Sequence, residues 1–162
     1  MKILLAVDNS EFSSAAIKEV ARRVWPAKST VRVLAVVEPY PAIAVEPSMS
    51  GGDVIENVDV EIARRAEKLA RKTADRLRTG ELKAEALLRT GEPSSEIIGE
   101  AANWSADLIV VGSHGYTGLK RLFLGSVALS VVSHAPCSVE VVRRKAPKNT
   151  KNSRAGKGGE SN

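Results

Sequence analysis

Cysteine, histidine and aromatic residues are scarce in this chain. It has one cysteine and two histidines in 162 residues, and aromatic side chains make up 4% of it. Cys137 alone cannot form an internal disulfide, and with His114 and His134 it offers too few soft ligands to predict a structural zinc site. We interpret Cys137 as a small apolar residue that starts a strand, without a redox role.

Long hydrophobic runs are also missing. No stretch approaches the ~18 uncharged apolar residues that a membrane span requires. The apolar run at the N-terminus meets Asp8 too early for a signal peptide. We therefore expect a cytoplasmic protein without a membrane partner.

A strong charge of one sign is absent from most of the chain. The net charge is +5, from 24 basic and 19 acidic side chains. Residues 145–162 hold five of these basic residues and one acidic residue, so the remainder carries 19 against 18 and is nearly neutral. We predict one domain over residues 1–144 and a basic disordered tail over residues 145–162. Nucleic acid is not an expected partner, although the tail leaves weak, salt-sensitive contacts open.

Strand and helix patterns alternate along the predicted domain. Apolar or β-branched runs predict five strands, at residues 2–7, 31–38, 81–89, 107–111 and 137–143. A helix is predicted between each pair of consecutive strands, and a long loop rich in Pro, Gly and Ser spans Pro39–Gly52. The first helix follows the N-cap Ser10 and stops at Pro26. Its predicted inner face consists of Ile17, Val20, Ala21 and Val24.

The boundaries of the later helices are predicted from glycine, proline and the apolar pattern. The second is predicted to end before Gly80, and the third begins with Pro93 at its first position. The fourth is predicted over residues 126–135. Trp25 and Trp104 lie at helix ends, where we interpret them as residues at the edge of the core.

Strict alternation of strands and helices predicts an α/β fold with an open five-stranded parallel sheet and helices on both faces. The first and fourth strands are uniformly apolar and therefore central, whereas the third and fifth alternate and are therefore edges. The strand order 3-2-1-4-5, that of a Rossmann-like fold, satisfies this pattern. Such sheets bind ligands at the carboxyl ends of the strands beside the switch point, here after strands 1 and 4.

Four residues near that switch point have the spacing G-x-x-G-(nine residues)-G-S, namely Gly112, Gly115, Gly125 and Ser126. Glycine lets the backbone approach a ligand closely, and free N–H groups at a helix start bind anions. The spacing therefore predicts a phosphate-binding site. Neither G-x-x-x-x-G-K-[ST] nor G-x-G-x-x-G follows the first strand, which excludes a P-loop and a dinucleotide fingerprint there.

For several polar residues near the predicted site, the sequence allows two roles. Asp8 either accepts hydrogen bonds from a ligand or caps the helix that follows. His114 either lines the site or is an exposed turn residue, while His134 is interpreted as a helix-end residue. Lys120 and Arg121 either reach phosphate or are solvated.

Six segments together resemble the universal stress protein family. In chain order they read KILLAVDNSEFSSAA, VRVLAVVEP, TGEPSSEII, ADLIVVGSHG, GLKRLFLGSVA and SHAPCSVEVV. The resemblance covers residues 2–144, and the glycine spacing is similar to the family's ATP-binding signature. The chain departs from the family pattern at Asn9, where a glycine is frequent, and in the long Pro39–Gly52 loop.

The resemblance implies an adenine nucleotide alpha hydrolase-like fold and a site for ATP with Mg²⁺ or Mn²⁺. Asp8 and Val36 match the positions that hold adenine and ribose, and Val7 matches a neighbouring backbone contact. Gly112 and Gly115 match positions near the ribose and phosphates. The start of the phosphate-binding helix is matched by Gly125, Ser126 and Val127.

The resemblance also implies a homodimer through the last strand, Cys137–Arg143, whose alternating pattern is typical of an exposed edge. The implied function is an ATP-binding module that senses nucleotide in stress adaptation. Two alternatives stay open: a weak ATPase or phosphotransferase, and a non-catalytic interaction protein that uses the dimer surface or the basic tail. No catalytic residue is predicted, because the spacing suggests no Ser-His-Asp arrangement, Cys-His pair or carboxylate dyad.

Overall fold

The computed structural model describes residues 1–39, 52–79, 82–115 and 124–143, with the backbone alone for residues 52–58. The strands and helices are β1 Lys2–Val7, α1 Glu11–Arg22, β2 Thr30–Val37, α2 Gly52–Leu77, β3 Lys83–Thr90, α3 Pro93–Trp104, β4 Leu108–Gly112, α4 Ser126–His134 and β5 Ser138–Val142. Residues 40–51 of the predicted loop, Lys120, Arg121 and the predicted tail lie outside the described residues.

The five strands form one parallel sheet in the order β3-β2-β1-β4-β5, which confirms the predicted fold. β1 pairs with β2 through Val7 and Ala35, and with β4 through Ile3 and Leu108. The strands with uniformly apolar sequences are central because both of their faces are covered by helices. Since all strands run in the same direction, the carboxyl ends of β1 and β4 lie side by side at one edge of the sheet.

Two helices cover each face of the sheet. α1 and α2 pack on the face that carries Ile3 and Leu5, while α3 and α4 pack on the face that carries Leu4. Consecutive residues of a strand point to opposite faces, so β1 contributes to both cores. Each fully buried side chain of this kind stabilises the fold by about 1.5–3 kcal/mol. None of the described helices is long and apolar enough to cross a membrane.

The starts of α1 and α3 are as predicted. Ser10 is the N-cap of α1, and the backbone N–H of Ser13 donates to Ser10 Oγ over 3.0 Å. Pro93 is the first residue of α3, where its missing N–H costs no helical hydrogen bond. Local sequence signals therefore determine both helix starts.

The end of α1 differs from the prediction. The helix ends at Arg22, and Val24 beyond it is 95% exposed, so the predicted inward positions of Ala21 and Val24 are wrong. Trp25 packs against the core instead and donates its indole N–H to the Val20 carbonyl over 2.9 Å. The chain thus leaves the helix before Val24, and Trp25 is the residue that packs against the core there.

Trp104 ends α3 and packs half-buried at the edge of the core, as predicted for both tryptophans. The Arg32 guanidinium lies 4.2 Å from its ring centroid.

Arg32 and Arg89 both donate to the carboxylate of Glu100, which is 4% exposed. Burial raises the pKa of Glu100, but the hydrogen bonds from Arg89 and Arg32 outweigh it, so the pKa lies below its ordinary value.

Cys137 lies immediately before β5, half-buried against the core beneath α3 and α4. Burial raises the pKa of its thiol, and the charge of Asp107 raises it further. A raised pKa disfavours the reactive thiolate. The environment of Cys137 thus agrees with its interpretation as a small apolar residue.

Candidate functional site

The carboxyl ends of β1 and β4 bring together Asp8, Gly115 and Gly125, and we call these three residues the cradle. A Cβ atom placed on Gly115 would lie 3.2 Å from Asp8 Oδ2, and one placed on Gly125 would lie 3.6 Å from the backbone N of Gly115. The Gly125 N–H donates to the Ser113 carbonyl over 2.9 Å. The two ends of the glycine signature therefore meet at the end of β4, across from the end of β1.

Asp8 is half-buried and does not cap α1, because Ser10 holds that position. Asp8 Oδ1 accepts the Ser10 N–H over 3.0 Å, and the Asp8 N–H donates to Ser13 Oγ over 3.0 Å. These bonds fix the side chain, while Oδ2 is the oxygen closest to the Cβ position of Gly115. Of its two interpretations, the cap is wrong and the ligand role remains a prediction.

Packing against α1 explains why position 112 is a glycine. A Cβ atom there would lie 2.8 Å from the backbone carbonyl carbon of Phe12 and 3.0 Å from its oxygen. Such distances to backbone atoms exclude any larger residue unless α1 shifts. Gly112 thus lets the first turn of α1 pack directly on the end of β4, which holds α1 close to the cradle.

The start of α4 has a glycine as its N-cap. Gly125 holds that position, its carbonyl accepts the Leu129 N–H over 2.9 Å, and among the residues that the structure describes no side chain bonds to the first-turn N–H groups. The first turn contains no acidic residue. Ser126 is exposed, whereas Val127 packs against the core beneath α3 and α4 and anchors the turn. An anion here would meet N–H groups that no described side chain occupies, at the positive end of the helix dipole.

The two valines of the predicted site lie on opposite faces of the sheet. Val7 is 7% exposed in the core beneath α1 and α2, and Val36 packs half-buried against the core beneath α3 and α4. Val7 pairs with Ala35, so Val36 lies one residue beyond the level at which β1 ends. Their side chains thus belong to the two cores, and a contact of either valine with a ligand stays a prediction.

His114 is half-buried, so its interpretation as an exposed turn residue is wrong. Its Nδ1 lies 3.1 Å from Ser113 Oγ, and its ring centroid lies 4.9 Å from that of Phe12. His114 Nε2 is buried and has no hydrogen-bond partner among the described residues. By contrast, His134 is the last residue of α4 and its Nδ1 lies 2.9 Å from the Ser130 carbonyl, which confirms it as a helix-end residue.

The sequence analysis predicted no role for two residues of this region, Ser113 and Phe12. Ser113 is 2% exposed, and its N–H donates to the Val142 carbonyl of β5 over 2.9 Å. Its place between two signature glycines was an available signal. Phe12 contacts both Gly112 and His114, but its position just after a helix cap carries no such signal because it depends on the packing of α1 across β4.

The chemistry available at the cradle is that of binding an anion beside a fixed carboxylate. Free N–H groups and glycine backbone suit phosphate oxygens, and a carboxylate suits a hydroxyl or amino donor. Among the described residues, no group of three or more His, Cys, Asp or Glu side chains could hold a metal ion. A molecule with a phosphate at one end and a polar donor at the other fits this arrangement.

Comparison with known proteins identifies the chain's relatives. The model of the universal stress protein family matches residues 1–143. Universal stress protein MJ0531 of Methanocaldococcus jannaschii is 32% identical over 143 residues, which cover 88% of this chain and 82% of the relative. Universal stress protein YxiE of Bacillus subtilis is 29% identical over 147 residues, covering 88% and 98%.

Solved structures show the same fold. The structure of protein MJ0577 of Methanocaldococcus jannaschii superposes with a TM-score of 0.76 and 28% identity, covering 90% of this chain and 97% of that one. A family protein of Arabidopsis thaliana, solved with AMP bound, has a TM-score of 0.62 and 20% identity, covering 92% and 97%. The match of the family model over nearly the whole described chain, together with these relatives, shows that the chain belongs to the universal stress protein family.

Proposed function

We propose that this protein binds an adenine nucleotide, in the form of ATP, at the cradle and acts as a nucleotide-sensing module in stress adaptation. The observation that carries the proposal is the meeting of Asp8, Gly115 and Gly125 beside the uncapped start of α4. The AMP bound by the Arabidopsis family member supports the adenine nucleotide as the ligand class.

The two ends of the nucleotide have different partners. The phosphates bind at Gly115, Gly125, Ser126 and Val127, where N–H groups and the Ser126 hydroxyl donate to their oxygens. A Cβ at either glycine would narrow this space, since it would lie 3.2 Å from Asp8 Oδ2 at Gly115 and 3.2 Å from His114 Cα at Gly125. The backbone at Gly112 lies between this end and the ribose.

The base and ribose lie at the end of β1 and β2. Asp8 Oδ2 accepts a hydrogen bond from a ribose hydroxyl or from the adenine amino group, because a carboxylate beside the phosphates would repel them. The backbones of Val7 and Val36 contact the adenine. Mg²⁺ or Mn²⁺ accompanies the phosphates, whose oxygens are the hard ligands that these cations prefer.

Titration calorimetry with ATP and Mg²⁺ tests the proposal. We expect the wild type to bind, and Gly115→Asp to abolish binding, because its Cβ would lie 3.2 Å from Asp8 Oδ2 and its carboxylate would add a second negative charge beside Asp8 and against the phosphates. Gly99→Asp is the matched control, since a Cβ there meets nothing within 4 Å. Absence of wild-type binding at millimolar ATP would contradict the proposal.

We also propose a homodimer formed through β5. The Val142 carbonyl accepts a hydrogen bond from β4, so the backbone groups of Val139 and Val141 point to the open edge. At the opposite edge, the Arg78 side chain donates to the Ala84 carbonyl over 2.7 Å and covers part of β3. The β5 edge is thus the one better suited to pair with a second copy.

Light scattering tests the dimer. We expect a mass twice the 17.3 kDa of one chain, and a monomer for Val141→Pro, which removes an outward N–H without removing a bond to β4. A monomeric wild type at micromolar concentration would overturn this proposal.

A further inference from the structure

We propose that Arg23 and Glu140 form, with their copies in a second chain, a four-residue ion cluster at the two-fold axis of the dimer. In this cluster Arg23 neutralises the repulsion between two facing carboxylates and so allows β5 to pair with its own copy. This inference rests on the proposed homodimer through β5.

Glu140 lies at the centre of the edge strand and carries its only charge. The strand reads SVEVV over Ser138–Val142, and Glu140 is the third of these five residues. Arg23 donates to both oxygens of this carboxylate, from Nη1 to Oε2 over 2.7 Å and from Nη2 to Oε1 over 2.8 Å. Because Arg23 is the C-cap residue of α1, this two-bond ion pair ties the end of the helix to the edge of the sheet.

The backbone of β5 determines which residues can pair with a second chain. The Val142 carbonyl accepts the Ser113 N–H over 2.9 Å, so the backbone groups of Val142 point to β4. Since this direction alternates along a strand, the N–H and C=O groups of Val139 and Val141 point to the open edge. A symmetric antiparallel pair of β5 strands therefore uses these two residues for its backbone hydrogen bonds.

One register uses both residues at once. When Val139 pairs with the partner's Val141, two hydrogen-bonded pairs form within Ser138–Val142, whereas a register centred on Val139 or on Val141 forms one. The register with more hydrogen bonds places the two-fold axis at Glu140. Glu140 then faces the partner's Glu140 in a non-hydrogen-bonded pair, where Cα atoms are about 4.5 Å apart and side chains are closest.

Two carboxylates in this position need a cation beside them. Like charges directly opposite each other on paired strands are destabilising, and charges covered at an interface need partners of opposite sign. Arg23 supplies one positive charge to each carboxylate. Its guanidinium is already held in the single chain, because Nη2 donates to Glu19 Oε1 over 3.0 Å and the group lies 5.1 Å from the ring centroid of Trp25.

The other face of β5 is apolar. Val139 and Val141 pack half-buried against the core beneath α3 and α4. On the same side of the sheet, Leu129 and Val132 of α4 are 55% and 47% exposed. Charge within β5 is thus confined to Glu140, on the side of the sheet that α1 covers.

Three variants separate charge neutralisation from support of the fold. Arg23→Gln leaves two carboxylates facing each other, and we expect the dissociation constant of the dimer to rise about tenfold or more. Glu140→Gln breaks the same ion pair but removes both negative charges, while Arg23 keeps Glu19 as its partner, so the dimer should persist. Combining Arg23→Gln with Glu140→Gln should restore the dimer. Sedimentation equilibrium of the full-length chain measures each constant.

The dependence on salt gives a readout that a loss of packing alone does not move. Sodium chloride screens the repulsion between the unpaired carboxylates of Arg23→Gln. Raising its concentration should therefore narrow the difference between the dissociation constants of Arg23→Gln and the wild type. Thermal unfolding of each variant shows whether it is folded.

Disulfide trapping in a Cys137→Ser background tests the register. Glu140→Cys places a thiol opposite its own copy, so oxidation should link two chains on a non-reducing gel. Val139→Cys and Val141→Cys are the matched controls. In the proposed register each of these positions lies more than about 7 Å from its own copy, which is too far for a disulfide.

Each outcome decides one point. A dimeric wild type with an unchanged constant in Arg23→Gln, or with no trapping at position 140, would overturn the ion cluster and leave the dimer standing. Equal weakening in Arg23→Gln and Glu140→Gln, without recovery in the double variant, would assign the effect to support of the fold and reject the cluster. A monomeric wild type would reject the proposed dimer and this inference with it.

Discussion

The starts of α3 and α4 differ in what lies against the free N–H groups of the first helical turn. Both helices pack on the same face of the sheet and begin near its carboxyl edge. At α3, the Glu92 carboxylate accepts the N–H groups of Ser94 and Ser95 over 3.0 and 2.7 Å. At α4, the N-cap is Gly125, and no side chain in the described part of the chain accepts the corresponding N–H groups.

The electrostatics of Glu92 show what a helix start does to an anion. The N–H of Ser94, followed by that of Ser95, lowers the pKa of the Glu92 carboxyl from 4.5 to about 2. The side chain of Glu92 acts as a built-in anion and occupies the site that a free phosphate would use. The comparison teaches that the two helix starts differ in charge: the proposed phosphate-binding start, that of α4, has no acidic residue in its first turn.

The largest expected effect on ATP affinity comes from introducing a carboxylate at the start of α4, as Glu92 provides at the start of α3. Ser126→Asp places a carboxylate in the first turn of α4, where it repels phosphate, and we expect ATP affinity to fall about a hundredfold or more, since like-charge contacts cost several kcal/mol. The same change should stabilise the unliganded protein by about 0.3–1 kcal/mol through the helix dipole. Calorimetry and thermal unfolding measure the two effects.

Ser126→Asn is the control for the size of the new side chain. It lacks the charge and should retain much more ATP affinity than Ser126→Asp. A loss of stability together with the loss of binding in Ser126→Asp would mean that the turn is disrupted, and would count against the electrostatic explanation.

A smaller effect is expected from removing the built-in anion of α3. Glu92→Ala leaves the N–H groups of Ser94 and Ser95 without their acceptor, and we expect it to destabilise the fold by about 1 kcal/mol, as for other lost helix caps. ATP affinity should stay within twofold of wild type, because α3 takes no part in the proposed phosphate contacts. Urea unfolding measures the first quantity and calorimetry the second; a large loss of affinity would show that the two helix starts are not independent.

The smallest effect is the pH dependence of the Glu92 cap. Because the pKa of Glu92 is about 2 in the folded state and 4.5 without its partners, the stabilisation is present above pH 4.5 and is lost as the pH falls towards 2. The wild type should therefore lose more stability than Glu92→Ala over this range, by less than about 1 kcal/mol for so exposed a group. Other carboxylates titrate in both proteins, so the difference between the two urea-unfolding curves isolates Glu92. If the wild type and Glu92→Ala lost equal stability between pH 4.5 and 2, the role of the Glu92 carboxylate as the cap would be contradicted.

The fold and several helix starts could be predicted from local patterns. The uniform apolar runs of β1 and β4 placed them at the centre of the sheet, and Ser10 and Pro93 marked helix starts through chemistry confined to one turn. The Glu92 cap was not predicted, because Ser, Thr, Asp and Asn are the usual cap residues. The inner position assigned to Val24 failed because helical spacing does not show where a helix ends, whereas Ala21 lies within α1 on its exposed side.

The sequence by itself determined the order of the strands and the spacing of the glycine signature, since hydrophobic periodicity and glycine content are properties of local segments. Only the tertiary structure decided that Gly125 meets Gly115, that Gly112 is required by the backbone of Phe12, and that His114 Nε2 is buried without a hydrogen-bond partner among the described residues. These facts depend on how α1 and α4 pack across the ends of β1 and β4. Contacts between segments far apart in sequence have no local pattern that reveals them, because they are set by the shape of the assembled core.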